Sequence, residues 1–369
     1  MSHIGIMSMQ RIANHGSFLQ AYALKTLLEA QGHRVEFVDY RPGPTVIPVP
    51  ARGPARLARK ALETLGLRAP LSQRLAYIRY KRTYGDVMLP LLGIGKEPNT
   101  PHVDTLVIGS DEVFNCIQAN PNVGFTPQLF GHDADADRTV TYAASFGNTT
   151  LGKLRDHGKD REVGRLLAGL DAISVRDENS SRIVESLTGL TPQMHVDPVF
   201  AYDFDGDPNI PATVASDAPY LIAYAYSGRL TRAECASIRD YAQRRGLDVI
   251  SIGGVQSCAD RFVNCTPFET LAWFRNATEV ITDTFHGSIF SIIAHTPFTT
   301  LVRPSRGEAY GNEEKLTSLL GRLRLMDRMT SDIADMDRIN ATVPDWGRTE
   351  VILQTERART QRYLHEEVR

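Results

Sequence analysis

Short apolar runs, each followed by a stretch with helical periodicity, alternate along this sequence. Residues 3–7 predict a strand, residues 17–30 a helix with one apolar face, and residues 34–39 the next strand. Further apolar runs predict strands at residues 105–108, 139–143, 172–175 and 194–196. This alternation is typical of a parallel sheet with helices packed on its faces.

The pattern is interrupted at residues 203–219, which contain four aspartates and three prolines and have no helical periodicity. Such a stretch is typical of a connection between domains. A second series of predicted strands follows it, at residues 220–226, 248–252, 279–282 and 299–302.

The sequence therefore predicts an α/β protein with two Rossmann-like domains that face a cleft, and its 369 residues are enough for two cores. We predict an N-terminal domain over residues 1–202, with a basic helical insertion at residues 41–100. Residues 203–219 would be the linker and residues 220–340 the second domain. A charged amphipathic helix in residues 341–369 is expected to pack back on the first domain.

The composition of the chain argues against several classes of function. Hydrophobic residues make up 42% of the chain and charged residues 23%, and the net charge is −2. This ordinary balance argues against a nucleic-acid-binding surface. The four cysteines form no CxxC pair, so reduced thiols are favoured over a zinc site or a disulfide framework. The N-terminus has no signal-peptide pattern, and we expect a cytoplasmic protein.

Residues 51–82 depart from this balance, with nine basic residues and one acidic residue. Two interpretations stay open. The charges either solvate the outer face of a helical insertion or bind an anionic acceptor, including one linked to a lipid at an anionic membrane surface. On the second interpretation the candidate acceptor contacts are Arg56, Arg59 and Lys60, and the protein makes a peripheral membrane contact.

The strongest local motif runs from Thr282 to Ser288, where a buried strand leads into a helix that we expect to begin near Gly287 or Ser288. Ligands of open α/β sheets bind at such strand ends, and helix N-termini favour anions. His286 projects from this turn. It is a candidate catalytic residue, although a histidine here is equally compatible with a capping role.

Three other strand ends carry candidate binding residues. Asn14, Gly16 and Ser17 suit a tight turn into a helix, and their spacing differs from that of a dinucleotide-binding loop. Gly109, Ser110 and Asp111 form a second small-residue turn, whose polar groups are also common as caps. Arg176 follows a third strand, where it either meets a phosphate or carboxylate or pairs with Asp177 or Glu178.

These turns belong to six blocks whose order is familiar. The blocks are NHGSFLQAYAL from Asn14, GSDEVFN from Gly109, YAASFG from Tyr142, SVRD from Ser174, DPV from Asp197 and TDTFHGS from Thr282. Together they resemble the polysaccharide pyruvyl transferase family over almost the whole chain. Residues 41–100 carry none of the recognised blocks.

The resemblance implies a GT-B-like glycosyltransferase architecture and a reaction in which phosphoenolpyruvate gives a pyruvate ketal on a sugar. It implies that His286 is the general acid or a donor-binding residue and that Arg176 contacts the donor. Around them we expect donor contacts from Asn14, Gly16, Ser17, Gly109, Ser110, Asp111, Thr284, Gly287 and Ser288. Some members have an arginine where this chain has Thr284. Either Arg303 or Arg306 replaces that cation, or the donor differs.

Two other functions remain open. One is a glycosyltransferase of the same architecture that uses a nucleotide sugar, and the other is a non-catalytic regulator that binds a sugar or phosphate. The expected partners are phosphoenolpyruvate as co-substrate and a sugar or glycan acceptor. The sequence contains no P-loop, zinc motif or Ser-His-Asp order, so we predict neither a cofactor nor a metal.

Overall fold

A computed structural model describes residues 1–48, 69–303 and 311–368. The first sheet consists of β1 (His3–Met7), β2 (Arg34–Phe37), β3 (Val103–Gly109) and β4 (Ala136–Tyr142). These strands are parallel and lie in the order β2-β1-β3-β4. Two short parallel strands, β5 (Ser174–Val175) and β6 (Gln193–Met194), follow along the chain.

Helices connect these strands. They are α1 (His15–Ala30), α2 (Leu71–Val87), α3 (Leu151–Asp156), α4 (Asp160–Ala168), α5 (Glu178–Thr188) and α6 (Pro198–Ala201). Helix α1 begins after Asn14, whose side chain accepts a hydrogen bond from the backbone N–H of Gly16 at 2.7 Å. This cap fixes the turn between β1 and α1.

The second sheet is also parallel. Its strands are β7 (Tyr220–Tyr224), β8 (Asp248–Ser251), β9 (Arg261–Phe262), β10 (Glu279–Thr282), β11 (Phe298–Leu301) and β12 (Met329–Thr330), in the order β12-β11-β10-β7-β8-β9. The helices are α7 (Arg232–Arg245), α8 (Pro267–Arg275), α9 (Phe285–Ile293), α10 (Glu313–Arg322), α11 (Met336–Asn340) and α12 (Trp346–Glu367).

The predicted fold class, α/β with two parallel sheets, is confirmed. In each sheet the strand order reverses once, between β1 and β3 in the first sheet and between β7 and β10 in the second. Ligands of open parallel sheets bind at the carboxyl ends of the strands beside such a reversal. The fold therefore predicts a ligand site beside the carboxyl ends of β1 and β3 in the first sheet and of β7 and β10 in the second.

One helix boundary differs from the prediction. Helix α9 begins at Phe285, about one half-turn earlier than expected, because Thr284 is its N-cap. The hydroxyl of Thr284 accepts a hydrogen bond from the backbone N–H of Gly287 at 2.9 Å. His286 consequently lies in the first turn of the helix, and Ser288 lies beyond the residues whose N–H groups face the strand end.

The last helix returns to the first sheet. The hydroxyl of Tyr363 in α12 donates to the carbonyl of Thr141 at 2.7 Å, and the hydroxyls of Tyr142 and Thr360 lie 2.9 Å apart. Residues 203–219, all of which are described, contain neither helix nor strand. The chain thus passes from the first sheet to the second and returns through α12.

The described part of the basic segment forms α2, which reaches the second sheet. The side-chain amide of Gln73 donates to the carbonyls of Ala259 and Asp260, at 3.2 and 3.0 Å. Arg56, Arg59 and Lys60 lie outside the described residues. Over the ranges that are described, no helix is both long enough and apolar enough to cross a bilayer.

Candidate functional site

A cavity of about 350 Å³ lies where the strand ends of the two sheets meet. Asn14, Ser17 and Asp111 contribute to its wall from the first sheet, and Tyr226 and His286 contribute from the second. These residues follow β1, β3, β7 and β10, the four strands that flank the two order reversals. The cavity therefore occupies the position at which open parallel sheets bind ligands.

His286 is held against the first sheet by close packing. A Cβ atom on Gly16 would lie only 2.2 Å from the imidazole Cγ and Nδ1 atoms, so glycine alone leaves room for the ring. The ring also lies edge to face with Phe285, at 5.4 Å between centroids. His286 belongs to α9, which follows β10 of the second sheet, but its ring packs against the turn that begins α1.

A buried carboxylate joins His286 to Arg176. Asp197 Oδ2 lies 2.7 Å from a terminal nitrogen of Arg176 and 3.5 Å from Nε2 of His286. Its other oxygen accepts from the backbone N–H of Val199 at 3.1 Å. Burial raises the pKa of Asp197, but the interaction with His286 and the charge of Arg176 outweigh burial and lower it to about 2. Asp197 is therefore an anion at neutral pH.

Arg176 lines the cavity although its side chain is almost completely buried. Its guanidinium carbon lies 4.3 Å from the centre of the Phe285 ring, which places a cation on an aromatic face. Burial lowers the pKa of Arg176, and the charges of Asp197 and Asp111 raise it above the ordinary value. Of the two pairings considered from sequence, neither is formed. Arg176 pairs with Asp197 at 2.7 Å and with Asp111 at 3.9 Å, and Asp177 caps α5 through the N–H of Ser180.

The first-sheet turns contribute polar side chains to the cavity. Ser17 donates to Asp111 at 2.6 Å, and the amide of Asn14 donates to the hydroxyl of Tyr226 at 3.1 Å. Asp111 has a φ of +72°, a left-handed conformation that is costly for residues other than glycine. Asn14, Ser17 and Asp111 thus line the cavity, and the side chain of Asn14 joins the turn before α1 to the connection after β7.

Five predicted donor contacts do not line the cavity, namely Gly16, Gly109, Ser110, Gly287 and Ser288. The hydroxyl of Ser288 bonds to the carbonyl of Thr284 and to Thr300, and that of Ser110 donates to the carbonyl of Ala143. Gly109 and Gly287 have no room for a side chain, since an added Cβ would lie 2.2 and 2.1 Å from neighbouring oxygen atoms. These residues shape the turns, and their contact with the donor stays a prediction.

The sequence reasoning missed His15, which is the neighbour of two predicted residues. His15 lines the cavity and is buried, and its Nδ1 lies 2.8 Å from the hydroxyl of Thr270 in α8. Burial, followed by the charge of Lys81, lowers the pKa of His15 to about 3. The ring is therefore neutral at physiological pH and joins α1 to the second sheet.

Three cationic side chains of the cavity were also missed as site residues. Lys81 donates to the carbonyl of Ala13 at 2.8 Å, and Lys315 lies 2.9 Å from Glu112. Burial raises the pKa of Glu112, but the charge of Lys315 lowers it to about 2. The third cation, Arg229, lines the cavity from the second sheet. Of the three, only Lys81 could have been found from the sequence, because it belongs to the basic segment at residues 51–82.

Potential metal ligands lie away from this cavity. Within the described ranges, one group of three such side chains is close enough to share an ion, namely His102, Asp104 and Asp137, and all three are exposed. They belong to the amino-terminal ends of β3 and β4, whereas the cavity lies at the carboxyl ends. The cavity chemistry described here is thus carried by arginine, lysine, histidine and carboxylate side chains.

Comparisons with known proteins give one family match. A family model described as polysaccharide pyruvyl transferase matches residues 14–305. No curated protein sequence matches the chain.

Solved structures with a similar course of the chain include two described as a glycotransferase and a glycosyltransferase and one described as an epimerase. They are a glycotransferase of kitacinnamycin (11% identity, 100% of this chain and 99% of that chain, TM-score 0.48), the UDP-GlcNAc 2-epimerase of Methanocaldococcus jannaschii in complex with UDP-GlcNAc and UDP (9%, 96% and 99%, 0.46), and the glycosyltransferase SnogD from Streptomyces nogalater (13%, 99% and 98%, 0.42).

Proposed function

The chain belongs to the polysaccharide pyruvyl transferase family, and we propose that it transfers the pyruvyl skeleton of phosphoenolpyruvate to two hydroxyls of one sugar, with His286 as the general acid. Membership of the family makes the protein a transferase that modifies a glycan. The donor and the role of His286 are the proposal. The observation that supports it best is the buried Asp197 carboxylate, which contacts both His286 and Arg176 beside the cavity.

The reaction needs one proton at carbon and one leaving group. A proton added to the methylene carbon of the donor makes the methyl group and leaves the adjacent carbon electrophilic. One sugar hydroxyl then attacks that carbon, phosphate departs with the carbon–oxygen electron pair, and the second hydroxyl closes the ketal. One hydroxyl proton replaces the proton that the acid delivered, and the other leaves with phosphate or solvent. Ketal and inorganic phosphate are the products.

On this proposal His286 delivers the first proton. Its Nε2 lies 3.5 Å from Asp197, which is anionic and buried, and Gly16 packs against the ring. A carboxylate in this position orients the imidazole, as in other histidine–carboxylate pairs. A positioned acid of this kind accelerates a reaction by about 10²- to 10⁴-fold.

The cavity also provides positive charge for an anionic donor. Phosphoenolpyruvate carries a carboxylate and a phosphate, and guanidinium groups bind both through paired N–H donors. Arg176 lines the wall on the first-sheet side and Arg229 lines the wall on the second-sheet side. A site with a cation on each wall suits a donor that has two anionic groups.

The setting proposed for this reaction is the cytoplasm. All four cysteines are free and buried, an arrangement in keeping with a reducing compartment. We further propose that residues 1–202 and 220–340 act as the two domains around the cleft, with phosphoenolpyruvate as co-substrate and no other cofactor. Acceptor binding by Arg56, Arg59 and Lys60 is part of the same proposal.

The test is incubation of the protein with phosphoenolpyruvate and a panel of glycans, scored by phosphate release and by the mass of the glycan product. Wild-type protein should release phosphate only when a suitable glycan is present. His286→Asn should lower kcat by about 10²- to 10⁴-fold without loss of folding. His157→Asn, at a residue that forms the C-cap of α3, is the matched control and should keep full activity.

Two results would contradict the proposal. One is thermal stabilisation and turnover with a nucleotide sugar and none with phosphoenolpyruvate, which would favour glycosyl transfer. The other is normal turnover in folded His286→Asn protein, which would remove the general-acid role while leaving the family assignment unchanged.

A further inference from the structure

Arg229 lies in the connection between β7 and α7 and lines the cavity from the second-sheet side. Its guanidinium carbon is 4.7 Å from the centre of the Tyr226 ring, and its Nε is 3.5 Å from a carboxylate oxygen of Asp283. An aromatic face and a carboxylate thus hold the side chain in place. Asp283 is the residue immediately before Thr284, the N-cap of α9, so Arg229 lies next to the N-terminal turn that carries His286.

Asp283 is an unusual partner for an arginine. Its side chain is completely buried, and neither carboxylate oxygen has a hydrogen-bond partner among the described residues. Two guanidinium groups lie near it at ion-pair distance, that of Arg229 at 3.5 Å and that of Arg303 at 3.8 Å. Burial raises the pKa of Asp283. The carboxylate therefore positions Arg229 through charge, without a short hydrogen bond such as the one that joins Arg176 to Asp197.

Arg303, one of the two cations considered from sequence as a substitute at position 284, has another partner. Two of its nitrogens donate to the carboxylate of Glu234, at 2.6 and 3.0 Å. Among the described residues that line the cavity, Arg303 is not included, whereas Arg229 is. Arg306, the other cation considered, lies outside the described residues. Arg229, in contrast to Arg303, lines the cavity together with Thr284.

We propose that Arg229 binds the phosphate group of the donor and supplies, from the β7–α7 connection, the positive charge that Thr284 does not. Two features favour phosphate over carboxylate at this wall. The N-terminal turn of α9 adjoins Arg229, and helix N-termini favour anions of high charge. Lys315, a second cation of the cavity, comes from the same half of the chain. This inference rests on the proposed function, because it names the residue that binds the leaving group of that reaction.

A purely structural role must be separated from donor binding. If Arg229 served only to neutralise the buried Asp283, removing its charge would destabilise the carboxylate, and a simultaneous Asp283→Asn substitution would relieve the defect. If Arg229 contacts the donor, the same second substitution cannot restore the lost contact. The pair Arg229→Gln and Arg229→Gln/Asp283→Asn therefore distinguishes the two roles.

The experiment measures the KM for phosphoenolpyruvate and the binding of inorganic phosphate by calorimetry, in the full-length protein. Arg229→Gln should raise the KM by about 10- to 100-fold, the usual effect of losing a hydrogen bond to a charged group, and should weaken phosphate binding to a similar extent. The double variant should show the same defects. Arg338→Gln, at an exposed arginine of α11, is the control and should behave as wild type.

An unchanged KM in Arg229→Gln, or recovery of KM and phosphate binding in the double variant, would overturn the proposal. Failure of the wild-type protein to turn over phosphoenolpyruvate would count against the proposed function instead. In that case the phosphate titration still decides the role of Arg229. Loss of binding in both variants supports it, and binding equal to wild type contradicts it.

Discussion

Replacing Asp197 by Asn removes the carboxylate that contacts both Arg176 and His286, with little change in shape. The pKa of Asp197 is about 2 against an ordinary 3.8, so at about 1.4 kcal/mol per unit the ionised group contributes about 2 to 3 kcal/mol to the free energy of unfolding. Because the pKa is lower in the folded state, this contribution is present above pH 4 and is lost as the pH falls toward 2.

The substitution also takes from the buried Arg176 its closest partner and leaves Asp111 at 3.9 Å, and breaking one side of a buried ion pair costs about 3 to 5 kcal/mol. We therefore expect Asp197→Asn to lower the free energy of unfolding by about 2 to 5 kcal/mol at pH 7. The loss should be smaller at pH 3, because the Asp197 carboxylate of the unfolded wild-type chain is then largely protonated while that of the folded protein is still ionised. Since His286 loses the group that orients it, kcat should fall by about 10²- to 10⁴-fold.

Urea unfolding at pH 7 and pH 3, together with phosphate release in folded protein, measures both effects. Asp240→Asn is the matched control, because that carboxylate pairs with Arg244 at 3.1 Å on the protein surface, and surface pairs contribute about 0 to 1 kcal/mol. A folded Asp197→Asn protein with wild-type stability at pH 7 would refute the reasoning about the buried pair. Wild-type kcat in that variant would refute the orientation of His286 by Asp197.

The other predictions concern packing, pH and metals. Gly16→Ala should lower kcat at least about tenfold and destabilise the fold by about 1 to 3 kcal/mol, because the added Cβ would lie 2.2 Å from the ring of His286. Gly85 has open space around it, so Gly85→Ala should have neither effect. A melting scan and a turnover assay compare the two variants. Burial lowers the pKa of His15 to about 3 and that of His195 to about 4, below the ordinary 6.5. Between pH 7 and pH 5 these two histidines therefore take up protons only in the unfolded chain, and the free energy of unfolding should fall by about 2 kcal/mol per histidine. A melting temperature that is flat over this range would contradict the prediction. Activity should be unchanged after treatment with a chelator and dialysis; recovery that requires a divalent ion would show that the cavity charge is incomplete without a metal.

The sequence predicted local structure and the edge of the sheets where the site lies. Strand ends after β1, β3 and β10 were identified because apolar runs stop there and small polar residues follow. The rule that ligands bind at the carboxyl ends of parallel strands then placed Asn14, Asp111 and His286 on one cleft. Prediction of these strand ends requires no knowledge of contacts between residues that are distant in the sequence.

Contacts between distant segments could not be predicted in this way. Asp197 belongs to a recognised block, but its contact with His286 depends on how the two sheets face each other. Arg229 lies in a connection without a motif, and only the packing of Tyr226 and Asp283 brings it to the cavity. Ser288 does not line the cavity for a local reason: Thr284 caps α9, and the serine hydroxyl bonds to the carbonyl of Thr284 and to Thr300 in β11.

Transfer of the pyruvyl skeleton with proton delivery to carbon is tested most directly by the isotopic composition of the product formed in heavy water. Protein incubated there with phosphoenolpyruvate and an accepting glycan should give a carboxyethylidene ketal whose methyl group contains one deuterium from the solvent, with one phosphate released per ketal. His286→Asn should slow the appearance of this product. A glycan product that contains no carboxyethylidene group, or a ketal whose methyl group contains no solvent deuterium, would contradict the account.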